Sequence, residues 1–212
     1  MQPLFAKLGY GCGEKELPEV SQAEPQVVPN LLSVSNTIAE NQVARLHKSA
    51  MQSLEADILA YIYAQTPKFF ENLIVDLLLA MGYGSRRRDL SRRLGQSHDG
   101  GVDGLISQDE LGLEVILIQA KRLKPNSNVN VSRVRDFAGT LESQRASKGV
   151  FVTTGNFTIP ARMVVQYISR RIVLINGKEL AALMVRHNLG AKTTESYVFK
   201  ALDMNYFSSE LR

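Results

Sequence analysis

The sequence has almost no cysteine, no tryptophan and no long apolar run. A single cysteine, Cys12, excludes an intrachain disulfide and a zinc site built from several cysteines. No apolar stretch is long enough to span a bilayer, and the opening residues lack the charged-then-apolar pattern of a secretory signal. These absences predict a protein of the reducing cytoplasm that has no membrane partner.

The length and charge of the chain set further bounds. At 212 residues, it is long enough for one well-buried domain with an extension and too short for two large domains. Its net charge of +4 suits a polyanionic partner but does not indicate one. Positive charge is concentrated in residues 85–94, which either neutralise phosphates or form a solvated loop. The arginines of this cluster are Arg86, Arg87, Arg88, Arg92 and Arg93.

The pattern of the chain divides it into three parts. Residues 1–36 hold four of the seven prolines and show little periodicity, which predicts a linker or a poorly ordered arm. Residues 37–65 lack proline and glycine and repeat apolar residues at helical spacing. They are predicted to form a helix that packs on the main domain or on a second copy of the chain. Residues 66–212 form the main domain.

Helical and strand patterns alternate within the main domain. This alternation predicts an α/β sandwich around a central mixed β-sheet, preceded by the helix 37–65. Thr66-Pro67 is a typical helix start, because threonine caps free amides and proline has none to leave unpaired. The predicted elements are helix 67–81, strand 102–107, strand 113–121, helix 131–146, strand 148–154, helix 160–170, strand 171–175 and helix 177–188.

Three polar residues lie at neighbouring ends of two predicted strands. Gln119 and Lys121 are two residues apart, so they share one face of their strand, and a hairpin can bring Asp103 beside them. Lysine at the end of a buried apolar run is unusual, although the strand can also simply reach solvent there. Phosphodiester hydrolysis uses a divalent cation with oxygen ligands and an activated water as the nucleophile. Asp103, Gln119 and the Ala120 backbone carbonyl are candidate ligands, and Lys121 is a candidate to orient the water or hold the phosphate.

A further carboxylate borders the apolar stripe of helix 67–81. Glu71 aligns with Ile74, Val75 and Leu78 at helical spacing, so it does not face open water. It either adds a second acid to the metal site or forms a salt bridge at the rim, for example to the arginine cluster. Spacing alone leaves both interpretations open.

Four segments, taken in order, carry a resemblance to a known family. FENLIVDLLLAMGYG, GQSHDGGVDGLIS, LEVILIQAKR and KGVFVTTGNFT resemble the catalytic domain of the Mrr restriction endonucleases. The resemblance extends from Thr66 to the C-terminus and includes LDMNYF at 202–207. The family is similar in fold to the PD-(D/E)xK nucleases, with glutamine in place of the second acid. The resemblance therefore implies a restriction-endonuclease-like three-layer sandwich.

The resemblance also implies a function and a site. It implies Mg²⁺-dependent cleavage of double-stranded, typically methylated, DNA in type IV restriction, a form of host defence, with Mn²⁺ as a substitute for Mg²⁺. The aspartate of GVDG is Asp103, the QAK pair is Gln119 and Lys121, and the acid of the FE helix is Glu71. Family members usually carry an N-terminal winged-helix domain, for which residues 1–36 are too few. The chain is therefore expected to be a truncated form, a stand-alone nuclease domain, or a subunit that takes its specificity from a separate recognition domain or subunit.

Other expectations concern the DNA and the assembly. Gly100 and Gly101 either let backbone amides approach a phosphate or only permit a tight loop. One metal site per chain would require two protomers to cut both strands, which predicts a homodimer or a higher homo-oligomer. Two rival functions are a DNA-binding or assembly module without cleavage, and a nuclease that acts on RNA.

Overall fold

The computed structural model describes residues 31–84, 102–200, 203 and 206. The chain divides into two compact units, residues 1–44 and residues 45–212, and the second contains the central sheet. Most of the predicted arm and several predicted DNA contacts lie outside the described residues. These contacts are Arg86, Arg87, Arg88, Arg92, Arg93, Gly100 and Gly101.

The first helix, α1, spans Leu31–Ala64 and begins six residues before the predicted start at residue 37. No proline or glycine occurs between residues 31 and 64, so nothing in the sequence stops the helix from extending to Leu31. Residues 31–36 are therefore helical instead of part of an irregular arm. Within the second unit, the last turns of α1 bury Ile58 and Ile62 in the domain core.

Helix α2, Pro67–Ala80, begins where the sequence predicted. The Thr66 side chain accepts a hydrogen bond of 3.1 Å from the Phe69 amide, and Pro67 occupies the first turn. This cap satisfies one amide that a helix leaves without a backbone partner. The chain then leaves the helix through Gly82, whose φ of +88° is a conformation that glycine adopts without strain.

The central sheet is mixed, as predicted, and has the strand order β1-β2-β4-β6. Strand β1 pairs with β2 in an antiparallel hairpin, whereas β2, β4 and β6 run parallel to one another. A separate two-stranded parallel sheet, β3-β5, was not predicted, because strands of two residues have no readable period. The strands are β1 Gly104–Ser107, β2 Val115–Lys121, β3 Asn128–Val129, β4 Lys148–Thr153, β5 Asn156–Phe157 and β6 Arg171–Ile175.

Three further helices complete the fold. Helix α4 was predicted to reach Arg170 but ends at Val164. A 3₁₀ helix, Val165–Tyr167, follows it, and Ile168 is already extended, because β6 must begin at Arg171 to pair with β4. The helices are α3 Val131–Ser143, α4 Ile159–Val164 and α5 Gly177–Arg186.

Helices cover both faces of the sheet, which produces three layers. Alternate strand residues point to opposite faces, so Ile118 and Leu117 of β2 lie in different cores. Helices α2 and α5 and the last turns of α1 pack on the Ile118 face, whereas α3 and α4 pack on the Leu117 face. On the second face, Phe151 contacts Phe137 and Phe157 edge to face, with ring centroids 5.5 Å apart in each pair. Among the described residues, no helix combines the length and the apolar character that crossing a membrane requires.

Alanine substitutions at two glycines should change the stability of this fold in opposite directions. A Cβ at Gly177 would lie 2.3 Å from the Thr154 carbonyl oxygen, whereas a Cβ at Gly139 in α3 has no neighbour within 4 Å. Gly177→Ala should lower the free energy of unfolding by about 1–3 kcal/mol, because backbone must shift. Gly139→Ala should raise it by about 0.5–1 kcal/mol, because alanine favours helix. Urea denaturation of both variants checks this, and equal effects of the two substitutions would contradict it.

Candidate active site

Asp103 lies immediately before β1 and is held against the end of β2. Its backbone N–H donates to the Ile118 carbonyl over 2.8 Å. Its carboxylate Oδ2 accepts a hydrogen bond of 2.7 Å from the Ala120 N–H. The hairpin therefore directs this carboxylate to the place where β2 extends beyond β1.

Gln119 and Lys121 alternate with Ala120 along the same strand, so both side chains lie on the face that α3 and α4 cover. The Gln119 Oε1 is buried, and within residues 31–84 and 102–200 no group donates a hydrogen bond to it. A buried oxygen without a partner is costly unless a further group satisfies it. The Lys121 side chain, one step nearer the end of the strand, is exposed.

A cavity of about 410 Å³ brings the predicted residues together at this edge of the sheet. Glu71, Asp103, Gln119, Ala120 and Lys121 all line it. Its wall also includes Arg122, Arg133 and Asp136, which sequence reasoning missed. Arg133 and Asp136 are three residues apart on a flank of α3, a spacing that only becomes informative once the helix is placed beside β2.

Glu71 reaches the cavity from the opposite layer, since α2 covers the other face of the sheet. Its Oε2 forms an ion pair of 3.0 Å with the Lys68 ammonium, one turn earlier in α2. Both interpretations of Glu71 therefore have support, because the residue lines the cavity and also has a salt bridge. Among the described residues that partner is Lys68, and the arginine cluster lies outside them.

The electrostatic setting of the Asp103 carboxylate is unusual for a strand end. Burial raises the pKa of Asp103, and the nearby Glu71 charge adds to the rise. The Ala120 N–H and the ammonium groups of Lys121 and Lys68 act in the opposite direction, but burial dominates. A carboxylate of this kind gains from a nearby cation, because the cation favours its ionised form.

Hydrogen bonds from two threonine hydroxyls link the end of β2 to the end of β4. The Thr153 hydroxyl donates to the Lys121 carbonyl over 2.9 Å and accepts from the Gly155 N–H over 3.1 Å. The Thr154 hydroxyl accepts from the Leu123 N–H and donates to the Leu123 carbonyl. The Thr153 hydroxyl therefore holds the last residue of β2, and the Thr154 hydroxyl holds the backbone two residues later. Together they fix the position from which the Lys121 side chain extends.

The last turn of α1 is tied to the same strand end. The Arg122 Nη1 donates to the Tyr63 carbonyl over 3.0 Å, and the Tyr63 hydroxyl donates to the Thr154 carbonyl over 2.8 Å. Sequence reasoning missed this link because Tyr63 and Arg122 are 59 positions apart. It connects the last turn of α1 to the Arg122 side chain, directly after Lys121, and to the Thr154 carbonyl, directly after β4.

The donor set of the cavity fits a hard divalent cation. It offers carboxylate oxygens from Asp103 and Glu71 and the amide oxygen of Gln119, and Mg²⁺ prefers oxygen ligands of this kind. Among the described residues no group of three or more His, Cys, Asp or Glu side chains is placed so that it could hold a metal ion by itself. The Gln119 Oε1, which has no hydrogen-bond partner among the described residues, is an additional neutral oxygen that such a cation could use.

Sequence comparison places the chain in a known family. The Mrr catalytic-domain profile, described as a restriction endonuclease, matches residues 62–184. The chain belongs to the Mrr restriction endonuclease family. The matched range contains the four predicted catalytic residues, Glu71, Asp103, Gln119 and Lys121, and the resemblance noted in the sequence is confirmed.

A relative and two solved structures extend the comparison. The Mrr-family chain is 34% identical over 194 residues to the type IV methyl-directed restriction enzyme EcoKMrr of Escherichia coli (strain K12). The match covers 91% of this chain and 62% of the relative, so the chain spans less than two thirds of that protein's length. The structure of the DNA modification-dependent restriction endonuclease AspBHI aligns with 67% of this chain and with 36% of the AspBHI chain. Its TM-score is 0.51 at 18% sequence identity, and this likeness supports the predicted fold. The restriction endonuclease MspJI, solved with a 27-mer oligonucleotide, matches 65% of this chain and 33% of its own, with a TM-score of 0.49 and 33% identity.

Proposed function

We propose that this chain is a divalent-metal-dependent endonuclease that hydrolyses phosphodiester bonds of double-stranded, methylated DNA in type IV restriction. The observation that carries the proposal is the buried Gln119 Oε1, which has no hydrogen-bond partner within residues 31–84 and 102–200 and lies in one cavity with the Asp103 carboxylate and the Lys121 ammonium. Membership of a restriction endonuclease family supports the same chemistry.

The side chains of Asp103, Gln119 and Glu71 would hold the metal, which we propose to be Mg²⁺, with Mn²⁺ as a substitute. The Ala120 carbonyl is a further candidate ligand, because the N–H and C=O of a strand residue point to the same edge and the Ala120 N–H points at Asp103. When bound, such a cation lowers the pKa of a water ligand and offsets charge on the phosphate.

The remaining steps belong to the protein's own groups. The Ala120 N–H keeps the Asp103 carboxylate directed into the cavity. The Lys121 ammonium, held by a backbone that Thr153 anchors, orients the attacking water or binds the scissile phosphate. Fixed groups of this kind reduce the reorganisation that would otherwise accompany the reaction.

The methylated target and the assembly are proposed on different grounds. The name of EcoKMrr describes a methyl-directed enzyme, which supports modified DNA as the substrate. A recognition domain or subunit would read the modification. We propose a homodimer or higher homo-oligomer, so that two sites cut both strands. Within the second unit, Leu46 and Tyr61 of α1 are 71% and 74% exposed, and they are candidates for that interface.

Purified protein tests the proposal directly. We expect it to linearise or nick methylated plasmid DNA when Mg²⁺ is present and to lose this activity in EDTA. Unmethylated plasmid and an RNA of matched sequence serve as competing substrates. Salt-dependent DNA binding without nicking in Mg²⁺ or Mn²⁺ would favour the DNA-binding module instead, and preferential RNA cleavage would favour the RNA nuclease.

A further inference from the structure

We propose that Arg133 of α3 is a DNA-binding residue of the active cavity and contacts a phosphate of the strand that is cut. This inference rests on the proposed function, because it assigns a residue to the same substrate. It adds a contact outside the motifs that carry the family resemblance, since Arg133 lies between the QAKR and FVTT segments.

The other cations near the cavity already have neighbours within the protein. The Arg122 guanidinium donates to the Tyr63 carbonyl, and the Lys68 ammonium pairs with Glu71. Lys121 lies beside Gln119 and Asp103, where the reacting groups would lie. Arg133 lines the same cavity from α3, and its guanidinium forms no hydrogen bond or ion pair with any other side chain in the described part of the chain.

The position of Arg133 on its helix is well fixed. The Asn130 side chain caps α3 by accepting a hydrogen bond of 3.2 Å from the Arg133 N–H. Val134 and Phe137 anchor the next turn in the core, with 0% and 1% of their surface exposed. The backbone of Arg133 is therefore held, while its exposed side chain belongs to the same cavity lining as Glu71 and Asp103.

The charges around Arg133 explain why a phosphate is the matching ligand. Glu71, Asp103 and Asp136 line the cavity and would repel an approaching phosphate. A guanidinium offers a planar set of donors that can bind two phosphate oxygens at once, which offsets this repulsion at one place. A compact metal ion binds to oxygen atoms, so Arg133 is suited to the substrate and not to the metal.

Arg135 is a matched control in the same helix. It lies two positions further along, about 200° round the helix axis, and it is exposed. It does not line the cavity. Arg133→Gln and Arg135→Gln therefore remove the same charge from two sides of α3, and circular dichroism would establish that both variants fold.

The test is the salt dependence of duplex DNA binding by the full chain, measured in EDTA so that the DNA stays intact. Arg133→Gln should weaken binding roughly tenfold and reduce the slope of log K against log salt by about 0.9, the value for one phosphate contact. Arg135→Gln should leave the slope unchanged. Arg133→Lys should keep the slope and recover part of the affinity, because it retains the charge without the planar donors.

Three results would overturn the inference. An unchanged slope for Arg133→Gln would mean that Arg133 contacts no phosphate, and equal losses for the two glutamine variants would mean that only general surface charge is involved. If the wild-type protein neither binds nor cleaves DNA, the proposed function fails and the Arg133 contact fails with it. Normal wild-type binding and cleavage with an unaltered Arg133→Gln slope would remove this inference alone.

Discussion

Replacing Asp103 with asparagine should reduce DNA cleavage by about a thousandfold while leaving the fold at least as stable as before. The loss is large because asparagine lacks the negative charge that would hold the metal, and removal of one such electrostatic group commonly costs this much. The shape of the side chain is kept, and the asparagine Oδ1 can still accept the Ala120 N–H that now binds the carboxylate. The expected defect is therefore in chemistry and not in folding.

The effect on stability follows from the direction of the pKa shift. Burial raises the pKa of Asp103 in the folded chain above that of the unfolded chain, so the folded state binds a proton more readily. The favourable contribution to folding is present below the unfolded pKa and is lost as the pH rises through the folded pKa. At neutral pH the ionised carboxylate opposes folding, and Asp103→Asn removes that opposition.

Asp109 is a control residue whose pKa is shifted in the opposite direction to that of Asp103. It lies in the turn between β1 and β2, and hydrogen bonds from the Glu114, Leu113 and Leu111 N–H groups lower its pKa. Its contribution to folding is present above the unfolded pKa and is lost as the pH falls through the folded pKa. Asp109→Asn should therefore lower stability at neutral pH without reducing cleavage per folded molecule, since Asp109 does not line the cavity.

Thermal unfolding in EDTA between pH 4 and 8, together with cleavage assays in Mg²⁺, measures both variants. Asp103→Asn should unfold at the wild-type temperature or higher at neutral pH and should lose cleavage. Full cleavage by this variant would exclude Asp103 from the reaction. A loss of folding at neutral pH would show that the carboxylate is needed for structure instead.

Local patterns explain why much of the fold was predictable. Thr66-Pro67 starts α2 because capping needs only adjacent residues, and the apolar run 115–118 forms a buried strand because helices cover both of its faces. The period of two in β2 likewise put Gln119 and Lys121 on one face. Asp103 lies close to this pair because a short hairpin joins β1 to β2. In the register of that hairpin, Gly104 is opposite Ile118.

Long-range packing explains what sequence reasoning missed. The Arg122–Tyr63 bond joins residues 59 positions apart, and no local pattern contains it. Arg133 approaches the cavity only because α3 packs beside β2, and the sequence alone shows it as an ordinary polar helix residue. The ion pair of Glu71 with Lys68 joins residues one helical turn apart, so the sequence could have predicted it. The dense arginine cluster instead suggested itself as the partner of Glu71.

Replacing Lys121 with methionine should reduce cleavage by about a hundredfold or more with little loss of DNA affinity. Methionine keeps the unbranched shape at an exposed position and removes the ammonium, so β2 should remain intact. A group that assists proton transfer or orients the water acts mainly in the transition state, and its removal therefore lowers kcat more than it raises KM. Single-turnover cleavage of a methylated duplex, with binding measured separately, resolves the two effects.

Lys124→Met is the matched control, because Lys124 is exposed, follows the same strand and does not line the cavity. It should cleave at nearly the wild-type rate. Arg133→Gln separates the two effects in the other direction, because that variant should lose DNA affinity while keeping most of its maximal cleavage rate. If Lys121→Met lost affinity and kept its maximal rate, Lys121 would be a substrate-binding cation, and another group would have to act on the water.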